Sequence, residues 1–345
     1  MQARRLGRGI KFGAMLAAAL TVSLALAQEI TFLRIGTGDT GGSYFPIGGM
    51  IANAISNPPG SLDCGMGGSC GVPGLIATAV ATKGSVSNAA AVASGKLDLA
   101  LIQADVAYNA YVGKGMFAGE AMPNLNAVGN LFPETLHVVV RRDSGLMTVA
   151  DLKGLRVSLG AEGSGSLTTA RLVLAASGVE EAALRASYEE VGPSADLLEA
   201  GKLDAFFVVG GVPISAVQHL AERVPIKLLS VMGHTASSIR KAHPSLGTEV
   251  IPAESYPGVG AVVTVKVGAQ LIVAAEANAD LVYGITMALW HPSTRKLLET
   301  GPPNGRQMQL HRALAGIAIP LHPGAARFYR EVGFSLPTAA SSTPD

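Results

Sequence analysis

The chain has 345 residues, a length that accommodates about two domains. Hydrophobic residues make up 48% and charged residues only 15%, a balance that supports large cores and excludes a disordered chain. The 26 basic and 25 acidic residues leave a net charge of +1, which excludes the basic surface of a nucleic-acid-binding protein.

The N-terminus has the layout of a secretory signal peptide. Basic residues between positions 4 and 11 precede an uncharged, Ala- and Leu-rich run over residues 12–24. Ala25-Leu26-Ala27 then supplies an A-x-A cleavage site. An uncleaved membrane anchor is the alternative, but the run is short for a span of about 20 residues. We therefore predict that residues 1–27 are removed, that the mature protein is periplasmic, and that it has no membrane span.

The mature chain begins with a predicted strand (residues 30–35), a glycine-rich loop (36–43) and a helix (46–56). The loop contains a literal G-x-G-x-x-G, which elsewhere marks a dinucleotide site. The acidic residue that such a site needs about 20 residues later is missing. A solute site or a plain tight turn is therefore the preferred interpretation.

Cys64 and Cys70 lie in a Gly- and Pro-rich segment, residues 57–74. An oxidising compartment favours a disulfide between them over two free thiols. A metal site would need further ligands, and none lies nearby in sequence, so no metal is expected. Because the two cysteines are close in sequence, the disulfide should mainly shape its loop.

The next elements continue the alternation of strands and helices. Ser85 is predicted to be the N-cap of a helix that ends at Ser94, and Asp105 to open a further helix. Strands are predicted over residues 97–103 and 136–140, and the polar residues 141–145 mark a crossover. The second half then repeats the order, with strands at 155–159 and 205–209, a glycine loop at 160–166, and helices at 167–177 and from Ser194.

The last third of the chain is predicted to be mainly helical. A strand pattern over residues 259–267 continues at 271–274. Helices are then expected over residues 278–290, 293–299 and 306–315.

The tetrapeptide Gly-Lys-Leu-Asp occurs twice, at residues 95–98 and 201–204. Each copy joins the end of a helix to an apolar strand, and each follows a strand that leads into a glycine-rich loop. The matched order indicates two similar α/β units, and hence a two-lobed α/β protein.

Small polar residues cluster where helices of the two units begin. The loop of residues 163–168 combines glycines with Ser164, Ser166 and Thr168, and the loop of residues 82–88 has the same character. A helix N-terminus offers free N–H groups and a partial positive charge, which suits a carboxylate or a phosphate. Plain capping of the helices is the alternative interpretation.

Other candidate residues flank the same expected crevice. Gln103 and Asp105 follow a strand, where open α/β sheets bind ligands. Tyr44 either closes over a ligand or simply packs, and Lys83 is either a counter-charge or an ordinary exposed lysine. No nucleophile elbow, P-loop or close metal-ligand spacing occurs, so we predict no catalytic residue, no metal site and no cofactor.

Several stretches are shared with one transport family. They are I-G-T-G-D-T-G-G-S-Y-F-P (residues 35–46), residues 84–88, Gln103-Ala104-Asp105, residues 151–154 and 163–166, Asp204-Ala205-Phe206-Phe207 and residues 319–325. Because of these stretches, nearly the whole mature chain resembles the TAXI family. Its members are the extracytoplasmic receptors of tripartite ATP-independent periplasmic (TRAP) transporters. The resemblance implies a type II periplasmic-binding-protein fold, docking to the membrane subunits of a TRAP transporter, and a small carboxylate such as glutamate or 2-oxoglutarate as solute.

We accordingly expect lobe 1 to combine residues 28–141 and 262–335, lobe 2 to comprise residues 142–261, and residues 336–345 to form a disordered tail. A small anionic solute would bind between the lobes, which would then close. The binding component of an ABC importer or of a sensor, and an exported enzyme on the same fold, are the alternatives. The expected ligand-binding residues are Gly42, Ser43, Tyr44, Ser85, Asn88 and Gln103 in lobe 1, and Ser164, Gly165, Ser166, Thr168 and Gly210 in lobe 2.

Overall fold

The computed structural model describes residues 30–337. The predicted signal peptide, residues 1–27, lies outside the described residues, as does most of the predicted C-terminal tail. Within residues 30–337, no helix is long and apolar enough to cross a membrane.

The first α/β unit occupies one end of a large mixed sheet. Its elements are β1 (Thr31–Gly36), α1 (Tyr44–Ile55), β2 (Ser56–Asn57), β3 (Val72–Pro73), β4 (Leu75–Val80), α2 (Ser85–Ala93), β5 (Leu99–Gln103) and α3 (Ala104–Val112). β1 pairs in parallel with β4 and β5, while β2 and β3 form a separate small sheet. The carboxyl ends of β1 and β5 therefore share one edge, where the first glycine loop and Gln103 lie.

A long strand, β6 (Leu125–Arg141), leads from the first unit to the second. The second unit contains β7 (Arg156–Ser158), α4 (Gly165–Ala176), β8 (Arg185–Ser187), α5 (Val191–Glu199), β9 (Ala205–Gly210), α6 (Ser215–Arg223), β10 (Ile226–Leu228), α7 (Gly233–Ala242) and β11 (Gly247–Ile251). Here β7 pairs in parallel with β8 and β9, as β1 does with β4 and β5.

The chain returns to the first unit through β12 (Val262–Ala274) and ends in α8 (Ala279–Leu289), α9 (Pro292–Thr300) and α10 (Pro323–Glu331). β12 is antiparallel to β6 and to β5, so the strand order is β4-β1-β5-β12-β6-β9-β7-β8. The N-terminal part of β12 pairs with β11, and the C-terminal part of β6 pairs with β9. These two long strands therefore run from one unit into the other.

Each unit has its own apolar core. Ile35, Ile47 and Leu271 belong to a buried cluster that packs the first unit against α8 and α10. Val157 and Leu174 belong to a second cluster within the other unit. Separate cores allow two parts of a chain to move as rigid bodies. The lobe boundaries at residues 141 and 261 stay predictions.

The repeated Gly-Lys-Leu-Asp segments occupy equivalent places. Gly95 and Gly201 both adopt the left-handed backbone, with φ of 72° and 65°, and each follows the helix that it ends. Asp98 Oδ2 accepts a hydrogen bond from the backbone N–H of Arg34 in β1, and Asp204 Oδ2 accepts one from Arg156 in β7, both at 2.8 Å. The two α/β units thus share a fold and also the ion pair that joins the turn to the central strand.

Several predicted elements need correction. Gly84, not Ser85, is the N-cap of α2, and α5 begins at Val191 rather than at Ser194. The predicted strand pieces after residue 259 form one strand, β12. The sequence analysis did not identify α6, α7 and α10.

The predicted helix over residues 306–315 is wrong. The chain there forms two short 3-10 turns, Pro303–Gln307 and Leu310–Arg312. The guanidinium of Arg295 donates hydrogen bonds to the carbonyls of Arg306 and Met308, which a continuous helix would use for itself.

Candidate functional site

A small cleft lies between the two units, at the edge where β1, β5, β7 and β9 end. Its cavity volume is about 80 Å³. Most of the residues expected from the sequence line it, namely Gly42, Ser43, Tyr44, Ser85, Gln103, Ser164, Gly165 and Ser166. The structure therefore brings together the loops that precede α1, α2 and α4, although these loops lie far apart in sequence.

The two units are in contact around this cleft. The carbonyl oxygen of Gly163 accepts hydrogen bonds of 3.1 Å from the N–H groups of Val86 and Ser87, at the start of α2. Across the same gap, the N–H of Gly192 donates to Asp39 Oδ2 at 3.3 Å. A salt bridge of 2.6 Å joins Lys83 Nζ to Glu190 Oε1. The N-termini of α2 and α4 therefore face each other with the lobes closed.

Gln103 lines the cleft with a buried side chain. Its side chain is 2% exposed, and neither its amide oxygen nor its amide nitrogen has a hydrogen-bond partner within residues 30–337. Gly165 passes so close that an added Cβ would overlap Gln103 Oε1 and lie 2.9 Å from Ser85 Oγ. Because buried polar groups are normally paired, this amide indicates a partner that a bound molecule would supply.

The hydroxyl groups around the cleft are held by local bonds. Ser164 is the N-cap of α4 and accepts a hydrogen bond from the N–H of Leu167, while Ser166 Oγ accepts one from Val209 at 3.0 Å. Ser85 Oγ accepts a hydrogen bond from the N–H of Gln103 at 3.1 Å. Because each of these hydroxyl oxygens accepts a hydrogen bond from a backbone N–H, its own proton stays available for a further hydrogen bond.

Glu134 is a cleft residue that the sequence analysis missed. It lies in β6, is 2% exposed, and accepts a hydrogen bond of 2.7 Å from the hydroxyl of Tyr44. Burial raises the pKa of Glu134 to about 8, with the nearby Asp105 adding to the rise and the Tyr44 hydrogen bond opposing it. Burial, followed by the proximity of Glu134, raises the pKa of Tyr44 well above its usual value. Tyr44 therefore remains a neutral donor.

Acidic residues outnumber basic ones around the cleft. Among the described residues, Lys83 is the only basic side chain that lines it, and its hydrogen bond to Glu190 raises its pKa. Asp39, Glu134 and Glu189 line the cleft as well. The expected anionic solute would therefore meet more negative than positive side chains.

Three expected ligand-binding residues do not line the cleft. Asn88 is fully buried, and its amide donates to the carbonyls of Thr37 and Leu101, so it holds β1 to β5. Thr168 lies one helical turn beyond the N-terminus of α4, with its hydroxyl directed at Met116 and the carbonyl of Ser164. Gly210 lies behind Ser43, where an added Cβ would be 2.7 Å from Ser43 Oγ, so its role is close packing.

The cysteine segment lies away from the cleft. Cys64 and Cys70 are joined in a disulfide, and neither lines the cleft. His291 lies close to both sulfur atoms. Sulfur atoms engaged in a disulfide are not thiolate ligands, so this group is no metal site in the oxidised protein.

Known structures with the same architecture include solute-binding proteins. The chain is similar to PhnD1 from Prochlorococcus marinus (MIT 9301) in complex with methylphosphonate, with 11% identity over 87% of this chain and 98% of that one, and a TM-score of 0.50. A protein from Bordetella bronchiseptica RB50 gives 15% identity over 92% and 93% of the two chains, with a TM-score of 0.51. The alkanesulfonate-binding protein SsuA from Xanthomonas axonopodis pv. citri gives 19% identity over 81% and 83%, with a TM-score of 0.46.

The likenesses to PhnD1 and to the Bordetella bronchiseptica protein, with TM-scores of 0.50 and 0.51, confirm the predicted fold, a two-lobed α/β protein of the periplasmic-binding-protein type. The expected membership of the TAXI family is wrong, because the family whose model matches is a different one. The match is to the NMT1-like family and extends over residues 35–333, most of the chain. The chain therefore belongs to the NMT1-like family.

Proposed function

We propose that this protein is an exported solute-binding protein, which captures a small polar solute between its lobes and delivers it to the membrane component of a transporter. The observation that carries the proposal is the buried Gln103 amide, left without a partner where the N-termini of α2 and α4 converge. The fold of the periplasmic-binding-protein type supports it.

The size of the cleft limits the solute. A water molecule needs at least about 10–15 Å³ of such cavity volume, so about five to eight water-sized groups fit. A volume of about 80 Å³ favours a molecule of the size of a small organic acid over a nucleotide, a peptide or a lipid.

The solute is proposed to carry an anionic group, in agreement with the sequence analysis. The hydroxyl groups of Ser85, Ser164 and Ser166 are neutral donors beside two helix N-termini. A carboxylate suits these donors, and so does a phosphonate or a sulfonate.

The proposed membrane partner belongs to an ABC importer, the alternative in the sequence analysis, because the NMT1-like match removes the support for a TRAP transporter. A reconstituted importer from the same cell should hydrolyse ATP faster when this protein is added with its solute than when it is added alone. Equal rates under the two conditions would contradict this assignment.

A thermal-shift screen tests solute binding directly. The probes are acetate, pyruvate, 2-oxoglutarate, alanine, glutamate and methylphosphonate. A solute at 100 times its dissociation constant adds about 2.7 kcal/mol to the free energy of unfolding, enough to raise the melting temperature visibly. A protein whose melting temperature responds to none of these probes would contradict the proposal.

Gly165→Ala should weaken solute binding by about tenfold or more, because the new methyl group would force Gln103 or α4 to move. Gly49→Ala is the matched control, since Gly49 is exposed in α1, outside the cleft, and an added Cβ there meets nothing within 4 Å. Isothermal titration with the best solute of the screen measures both variants. Equal affinities of the two variants for the solute would show that the Gln103–Gly165 contact has no part in binding.

A further inference from the structure

Among the acidic residues that line the cleft, Glu134 is the one that is fully buried, at 2% exposure, and it has no salt-bridge partner within residues 30–337. Tyr44 is the one hydrogen-bond partner recorded for its side chain within residues 30–337, and no salt bridge reaches it there. By contrast, Glu190 is paired with Lys83, and Asp39 accepts hydrogen bonds from the N–H groups of Gly41 and Gly192. Glu134 is thus a carboxyl group without a counter-ion in the interior.

An ionised carboxyl group buried in this position costs free energy unless a counter-charge or hydrogen-bond donors compensate for the lost water. Removing a carboxylate from water without a partner disfavours the ionised form, which is why burial raises the pKa of Glu134 to about 8. Since Lys83 is held by Glu190, no basic side chain that lines the cleft is free to serve as that partner within the described residues. Burial without a counter-ion therefore keeps Glu134 largely protonated at neutral pH.

Gln103, which lines the same cavity, also has a buried side chain without partners. Its Oε1 atom is an acceptor with no donor, and its Nε2 atom is a donor with no acceptor, within residues 30–337. A purely anionic solute would satisfy Nε2 and the serine hydroxyls but would leave Oε1 without a donor and Glu134 without a counter-ion. A solute with donors at one end and acceptors at the other would satisfy all of them.

We infer that Glu134 determines specificity in this cleft: the solute carries, apart from its anionic group, an ammonium or similar cationic N–H group that binds the Glu134 carboxylate. The inference rests on the proposed function and narrows its substrate class from small organic anions to small bipolar solutes. Matched solute pairs that differ only in this group test it.

The experiment uses isothermal titration on the full mature chain with three pairs of probes. They are alanine and pyruvate, glutamate and 2-oxoglutarate, and aminomethylphosphonate and methylphosphonate. The amino member of at least one pair should bind about 10- to 100-fold more tightly than its partner, the range expected for a hydrogen bond to a charged group. Glu134→Gln should remove most of that preference, while Glu162→Gln, at an exposed position outside the cleft, should retain it.

The pH dependence gives an independent readout. Binding of an ammonium group needs ionised Glu134, so affinity should rise from about pH 6.5 to about pH 8.5 and about one proton should be released at neutral pH. Tyr44 and Asp105 are the titratable groups that act on Glu134, and Asp39, Lys83, Glu189 and Glu190 line the same cleft. In Glu134→Gln this slope and this proton release should both disappear.

The outcomes separate the inference from the proposed function. Tighter binding of the members without an amino group, or an unchanged preference in Glu134→Gln, would overturn the inference and leave solute binding intact. A cleft that binds neither member of any pair would overturn both. Circular dichroism and the melting temperature establish that Glu134→Gln is folded.

Discussion

At the scale of single residues, the sequence predicted the hydroxyl-bearing side of the cleft but not its acidic side. Serines beside glycines at a helix start are a local pattern, and Ser85, Ser164 and Ser166 do line the cleft. Glu134 follows no such pattern, because the pairing of β6 with β12 places it there. A signal was nevertheless available, since Glu134 is a single acidic residue in a 17-residue strand whose other charge is the terminal Arg141.

Glu134→Gln should make the solute-free protein more stable at neutral and alkaline pH. The pKa of Glu134 is about 8 in the folded chain against 4.5 ordinarily, so the unfolded chain loses this proton first as pH rises. Folding stability therefore falls between about pH 4.5 and about pH 8. Glutamine removes that loss, which is on the order of 4 kcal/mol at pH 7.5.

Melting temperatures at about pH 5 and about pH 8, without solute, measure this effect. The variant and the wild type should differ more at the higher pH, and Glu162→Gln should follow the wild type. A variant that is less stable than the wild type at about pH 8 would contradict the account of this buried carboxyl group.

At the scale of elements, strands and helices with strong local signals were predicted well, and those that depend on tertiary contacts were not. β1, β5 and β9 lie close to their predicted ranges because each is an apolar run that ends at glycine or a polar residue. α10 is amphipathic but short, and the pattern that identifies it, His322 as N-cap before Pro323, was not used. The error at residues 306–315 arose because Arg295, in the preceding helix α9, binds the carbonyl groups of Arg306 and Met308.

The repeated Arg–Asp pair should contribute more in the second unit than in the first. Asp204 accepts hydrogen bonds from the backbone N–H, Nε and Nη2 of Arg156, and this pairing lowers the pKa of Asp204. Asp98 accepts only from the N–H and Nε of Arg34. Asp204→Asn should cost about 1 kcal/mol, and Asp98→Asn about half of that, because the pairs are partly exposed.

Urea unfolding at neutral pH compares the two variants. The lowered pKa means that the stabilisation by Asp204 is present above its ordinary pKa and is lost as the pH falls below it. The difference between Asp204→Asn and the wild type should therefore shrink in acid. An equal loss in both variants would show that the additional hydrogen bond in the second unit adds nothing.

At the scale of the whole molecule, the duplicated unit was the most informative feature of the sequence. It predicted the two-lobed α/β fold, and it pointed to facing helix N-termini. It did not indicate the family, since shared glycine loops are compatible with many proteins of this fold. Nor did it indicate the charge of the cleft, which depends on residues that only the closed arrangement of the lobes brings together.

Closure of the lobes around a solute is the central claim, and the distance between spin labels on the two lobes tests it most directly. Lys114 and Lys241 are exposed. Lys114, from the first unit, and His243, from the second, line a separate cavity outside the candidate site. Labels at Lys114→Cys and Lys241→Cys leave the native disulfide intact. We predict a broad distribution with long distances without solute and a single short distance with it. The same distribution in both conditions, at saturating solute, would contradict the account.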